Sequence, residues 1–308
     1  MSTDSLAEAG ETGAARPEPA GRPASQGGFS HWRRLFSSEL RIVFLRPRNL
    51  LIYAALAGAP IFLGIVLRIN TPQGGGGGGN GPGIGAGALL GQVTGNGVFL
   101  ALLTLDLLLV LLLPVAVAVV SGDSIAGEAG MGTLRTLLTV PVGRTRLIAT
   151  KYLAIVVFCL AATLLVVIVG VLVGVVLFPI GRVTLLSGDT ISFAAGLVRV
   201  ALIAGYVTAA LAALGAIGLA LSTLTQYPIA VMAAVLIITV ASEITDQIPQ
   251  VASIHPVLPT HFWFSFDALL RMPIAWPDIQ HGLISFGCYI VAFGLIAWAR
   301  LRRANVTT

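Results

Sequence analysis

The sequence predicts an all-α integral membrane protein, with six transmembrane helices behind an N-terminal interfacial amphipathic helix. Three observations carry that prediction. Of the 308 residues, 56% are hydrophobic and only 10% charged, with a mean hydropathy of +0.94, whereas a water-soluble domain devotes about 25% of its residues to charge. Apolar runs of about 20 residues, the length that crosses the hydrocarbon core, recur along the chain. Basic residues collect in alternate loops, the bias that orients membrane proteins.

The first 30 residues are rich in Ala, Gly, Pro, Ser and Glu and hold no apolar core. That composition predicts a disordered cytoplasmic tail and excludes a cleaved signal peptide. From 31 to 49, basic residues alternate with Trp32, Leu35, Phe36, Leu40, Ile42, Val43, Phe44 and Leu45 at helical spacing. An amphipathic helix lying in the membrane interface fits this pattern better than a merely basic lead-in.

The six-span domain covers 50–299, with spans at about 50–67, 98–120, 152–178, 200–221, 228–245 and 282–298. The Gly-rich stretch from Gly74 to Gly79 cannot hold a helix and reads as a flexible extracellular linker. The polar segment Ser222 to Tyr227, followed by Pro228, divides an overlong apolar run into a hairpin of two spans. Arg33, Arg34, Arg41, Arg46 and Arg48 precede the first span, and Arg135, Arg144, Arg146 and Lys151 separate the second from the third. Arg300, Arg302 and Arg303 lie in the basic tail at 300–308. Both termini are therefore expected in the cytoplasm, which requires an even number of spans. The net charge of +5 follows this placement and predicts no nucleic-acid partner. Cys159 and Cys288 both lie in apolar runs and read as buried free thiols, with no disulfide framework.

The loop from Ser121 to Lys151 is the most informative stretch. Asp123 is placed to cap a short helix continuing through Ile125, Glu128, Leu134 and Leu138. Gly127, Ala129, Gly130 and Gly132 leave one surface almost bare, so another backbone can approach. Glu128 and Arg135 share a face, Pro141 stops the helix, and Arg144, Arg146 and Lys151 reach for the interface. This chemistry suits a docking element for a cytoplasmic partner, and it equally suits an ordinary amphipathic connector.

The segment from Asp123 through Glu128, Gly132 and Pro141 to Arg144 and Lys151 resembles the first cytoplasmic loop of type-2 ABC export permeases. The likeness extends to the interfacial helix, the six spans and the Arg-rich end at 299–306. It implies that this loop is a coupling helix docked on a cytoplasmic ABC ATPase, with Asp123, Glu128, Gly132, Pro141, Arg144 and Lys151 as its marker positions. It further implies a second permease subunit, as homo- or heterodimer, in the plasma membrane of a bacterium. This sequence departs from the family at Ala129 to Met131, where charge is common, and at Asn305, where an acid is common. Lys151 is the sole lysine and Tyr152 follows it, so no phosphate loop ending in Gly-Lys-Ser/Thr exists here. ATP and magnesium are accordingly expected in the partner ATPase, with no cofactor on this chain.

Asp106, between Leu105 and Leu107 in the second span, is the candidate for the translocation path, because a carboxylate at depth is costly. It also carries the alternative reading, an ion- or proton-coupled secondary transporter. Glu243 and Asp246 fall at the outer mouth of the fifth span and read as interfacial. The outer loop from Gln247 to Gln280 is rich in proline and carries aromatics from Phe262 to Phe266, which predicts short interfacial or re-entrant helices. Relatives in the resembled family place an outer gate near such a loop. His255 and His261 have no neighbouring cysteine or regularly spaced third ligand, so no metal site is predicted. Gly170 and Gly174 form a GxxxG pair, and Gly205, Ala209, Ala213, Gly215 and Gly218 line the fourth span. These serve intrachain packing or a dimer face. No catalytic motif is present, and nothing in the spans selects a substrate.

Overall fold

The computed structural model describes residues 28–70, 93, 96–130, 144–179, 181, 183–185 and 187–303. It is helical throughout, apart from a two-strand hairpin and three 3-10 helices. Helix α1 (Gly28–Leu45) leads directly into α2 (Pro47–Asn70). Pro47 stands at the first position of α2, where its missing N–H costs nothing. The buried Asn49 side chain donates to the Val43 carbonyl at 2.6 Å, fixing the corner.

The next crossing is broken in two. Helix α3 (Val98–Val110) and helix α4 (Leu112–Gly130) are separated at Leu111, whose backbone leaves the helical region at φ −143° and ψ −51°. Pro114 explains the break. It has no N–H to give the Val110 carbonyl, and its ring occupies the space that carbonyl would need in a continuous helix. Helix α5 (Arg144–Leu177) follows, then the hairpin β1 (Val183–Thr184) and β2 (Thr190–Ile191), then α6 (Phe193–Ser222) and α7 (Pro228–Asp246). The 3-10 helices Pro249–Val251, His255–Val257 and Trp263–Leu270 lead into α8 (Trp276–Arg303).

Among the described residues, six helices are long and apolar enough to cross a membrane: α2, α4, α5, α6, α7 and α8. The 13-residue α3 extends the crossing of α4 and is buried along nearly its whole length. Helix α6 is the hub, flanked by α4, α5, α7 and α8. Helices α2, α7 and α8 leave apolar side chains such as Phe62, Ile229, Ile237 and Ile284 exposed. In a bilayer those faces meet lipid or another subunit, since α-helices satisfy their own backbone groups there.

The GxxxG pair proves to be an intrachain device. A Cβ on Gly174 would stand 2.0 Å from the Gly97 carbonyl oxygen, and one on Gly170 would stand 2.7 Å from Ala101 Cα. The second half of α5 therefore meets the start of α3 backbone to backbone, and no side chain fits between them. Gly218 similarly admits Ser121, bringing α6 against α4.

The two ends of the bundle differ. At the basic end, α1 crosses the start of α2 and packs on α5, and Trp298 near the end of α8 donates to Thr145 Oγ1 at the start of α5. At the far end, the third 3-10 helix sinks into the bundle against α6 and α8, burying Trp263, Phe266, Leu269 and Leu270. Buried irregular backbone needs partners, and α6 and α8 supply them. Arg199 donates to the carbonyls of Leu269 and Arg271 at 2.6 and 3.0 Å, Tyr206 to Phe262 at 2.7 Å, and Tyr289 to Val257. This segment is a plug seated in protein.

Candidate functional site

Ion pairs tie three helices together at the basic end. Lys151, about two turns into α5, is 2% exposed, so its ammonium is almost wholly withdrawn from water. A lone buried charge costs several kcal/mol, and here two carboxylates offset it. Lys151 Nζ lies 2.6 Å from Glu128 Oε1 near the end of α4 and 3.2 Å from Glu39 Oε1 on α1. A second cluster lies beside it, where Asp123 Oδ2 accepts from Arg46 Nη1 at 3.0 Å and from Arg48 Nη2. Arg46 and Arg48 flank the corner between α1 and α2. The two clusters clamp α1 to the facing ends of α4 and α5.

A third contact binds the end of α6 into the same assembly. Ser222 Oγ accepts from the backbone N–H groups of Ile125 and Ala126 at 3.1 and 2.8 Å. A side chain from one helix thus takes up donors inside another, next to Asp123.

Asp123 does not cap a new helix. It lies well inside α4, which runs unbroken from Leu112 to Gly130, because the apolar span continues into the loop without a residue that stops it. Asp123 and Glu128 direct their carboxylates inward to α1 and Lys151. Gly132, Arg135 and Pro141 lie outside the described residues, as does the side chain of Arg144, which opens α5. The structure therefore brings together Asp123, Glu128 and Lys151 from the predicted loop. It adds Glu39, whose partner is 112 residues away in the chain, too far for any local pattern to reveal.

Asp106 is separate from this clamp. It occupies α3, just outside the break at Leu111, and is 1% exposed. Its Oδ2 is buried with no hydrogen-bond partner, and the same holds for Oδ1 of Asp267 in the plug. Packing brings the two carboxylates close enough to sense one another. Burial raises the Asp267 carboxyl from 3.8 to about 6, opposed by the nearby guanidinium of Arg271. An interrupted helix, a buried carboxylate beside it and a second carboxylate on a plug are the parts from which membrane transport sites are built. Pro114 and Asp267 both went unused in reading the sequence. Pro114 inside a 20-residue apolar run was a legible signal for the break.

Compared with known protein families, residues 7–257 match the family described as ABC-2 family transporter protein. No curated protein matches the chain.

Proposed function

The chain belongs to the ABC-2 family of transporter proteins and is a multi-pass membrane permease of that family; we propose that it is the coupling subunit of an ATP-driven exporter whose ATPase is a separate polypeptide. In this reading, ATP and magnesium bind to the partner and this chain catalyses nothing. Two permease subunits sit over two ATPases in the plasma membrane, with both termini in the cytoplasm.

The observation that carries the proposal is the buried Lys151 with its two carboxylates. The segment 131–143 joins the end of α4 to the start of α5. The clamp ties those same two helix ends to each other and to α1. A push on the segment from an ATPase cannot be absorbed by fraying one helix end. It moves α1, α4 and α5 as one body. Along α4 that motion reaches the Pro114 break, and past it lies Asp106 in α3. A break of this kind lets the two halves of a crossing change their mutual angle at small cost.

The test is reconstitution of this chain in liposomes with an ABC ATPase that co-purifies with it. Arg135→Glu with Arg144→Glu is expected to lower transport-coupled ATP hydrolysis about tenfold or more while the chain still inserts. Unchanged hydrolysis and ATPase binding would remove the segment from coupling. Asp106→Asn tests the path itself. A changed transport rate or pH dependence supports a place on the path, and wild-type transport removes Asp106 from it. Transport that persists without any ATPase and follows the proton gradient would favour the ion-coupled alternative.

A further inference from the structure

The three donor atoms Asp246 Oδ1, His255 Nδ1 and His261 Nδ1 converge at the far end of the bundle. Asp246 ends α7, His255 opens the second 3-10 helix, and His261 stands two residues before the third. His261 Nδ1 is hydrogen-bonded to Asp246 Oδ1 at 2.5 Å, through a proton that a bound metal would displace, and His255 Nδ1 is 3.8 Å from the same oxygen. One ligand atom from each residue falls within 4.8 Å of the others. The two imidazole rings are 5.9 Å apart, tilted by 43°. All three side chains are half-buried, sheltered from bulk water yet reachable from the outer side.

The orientation of His255 adds an independent point. Its other ring nitrogen, Nε2, lies 3.2 Å from the Ile248 carbonyl oxygen. A carbonyl only accepts, so Nε2 carries the proton and the lone pair of Nδ1 faces the cluster. Metal-ligating histidines are held in this way, with the remote N–H on a backbone carbonyl or carboxylate fixing the tautomer. His261 is braced too, its ring edge-on to Phe262 with centroids 4.6 Å apart.

We propose that Asp246, His255 and His261 form a binding site for a divalent transition-metal ion, with zinc the best match. Two imidazole nitrogens and one carboxylate oxygen form a borderline donor set that suits zinc and copper over calcium or magnesium. Tetrahedral zinc with bonds near 2.1 Å sets its ligands about 3.4 Å apart. The observed separations bracket that value, so side-chain rotation of about an ångström closes the site. Three protein ligands leave the fourth position to water or to a group arriving from outside. The ion would cross-link the end of α7 to the chain entering the plug, so its occupancy would hold the plug in its seat.

Zinc binding to the purified full-length chain, with any polyhistidine tag removed, decides the matter. Equilibrium dialysis is expected to show one saturable zinc ion per chain, and cobalt in its place to give the visible absorption of a tetrahedral site. Asp246→Asn, His255→Ala and His261→Ala should each weaken binding by on the order of a hundredfold, with the same elution volume as wild type. X-ray absorption at the zinc edge of the unmutated protein, independent of any variant's folding, should count two imidazoles. Absence of saturable binding at micromolar zinc overturns the proposal. So does binding that survives in the triple variant, or a coordination shell without two imidazoles.

Discussion

At the scale of single residues, Lys151 carries the most consequence. Its two carboxylate partners come from α1 and α4, so replacing it leaves Glu39 and Glu128 facing each other without the charge between them. Lys151→Met is expected to cost about 3–5 kcal/mol, the usual result of breaking a buried pair by removing one partner, measured by denaturant unfolding in detergent. The triple variant Glu39→Gln, Glu128→Gln, Lys151→Met should recover most of that loss, because no uncompensated charge then remains. Glu128→Lys would set a second ammonium against a buried one, and it is expected to reduce folded protein before coupling can be assayed. Asp267 gives a pH signature of opposite origin. Burial makes its folded form hold a proton between pH 3.8 and about 6 where the unfolded chain has released it. Stability therefore falls as pH rises through that window. The wild type should lose stability between about pH 4 and pH 6 relative to Asp267→Asn, and a parallel pH profile in the two would contradict this. Local pattern pointed to Asp106, Asp123, Glu128 and Lys151 as charged positions near or within spans. It did not give their partners, because Glu39 and Asp267 are brought to them only by tertiary packing.

At the scale of elements, apolar length and flanking charge made the spans legible, and proline and glycine mark where they bend and touch. Pro114 divides α3 from α4 although hydropathy runs through it without interruption. A hydropathy window averages over the one residue that matters. The glycines of α5 and α6 look alike in sequence and differ in the fold. A Cβ at Gly174 would strike the Gly97 carbonyl at 2.0 Å, whereas nothing lies within 4 Å of one at Gly205. Gly174→Ala is expected to destabilise by about 1–3 kcal/mol through forced separation of α3 and α5. Gly205→Ala should be neutral or stabilising by up to about 1 kcal/mol, the helix propensity gained. Thermal unfolding of both variants checks the contrast, and equal effects would place the α3–α5 contact elsewhere. The loop 247–280 was legible as short helices from its prolines, but its depth in the bundle was not. Arg199, Tyr206 and Tyr289, which hold it down, sit on other helices.

At the scale of the whole molecule, one end of the bundle is braced by ion pairs and the other is filled by a buried 3-10 segment. The basic end is cross-braced by Lys151, Asp123 and Ser222, so α1, α4, α5 and the end of α6 act as a unit. The far end is closed by a plug that polar side chains of neighbouring helices hold in place. Between the two lies the break at Leu111, beside the buried Asp106. In the function we propose, this division would let the chain convert motion received from an ATPase at one end into access at the other. The measurement that tests this most directly is the distance between a spin label on the 131–143 segment and one on the plug, in liposomes with the partner ATPase. Trapping ATP on the ATPase is expected to shift the plug distance in the wild type. In the Lys151→Met, Glu128→Gln, Glu39→Gln variant with Asp123→Asn added, which removes both ion-pair clusters, that shift should be abolished. An equal shift in both proteins would contradict the clamp as the transmitting element.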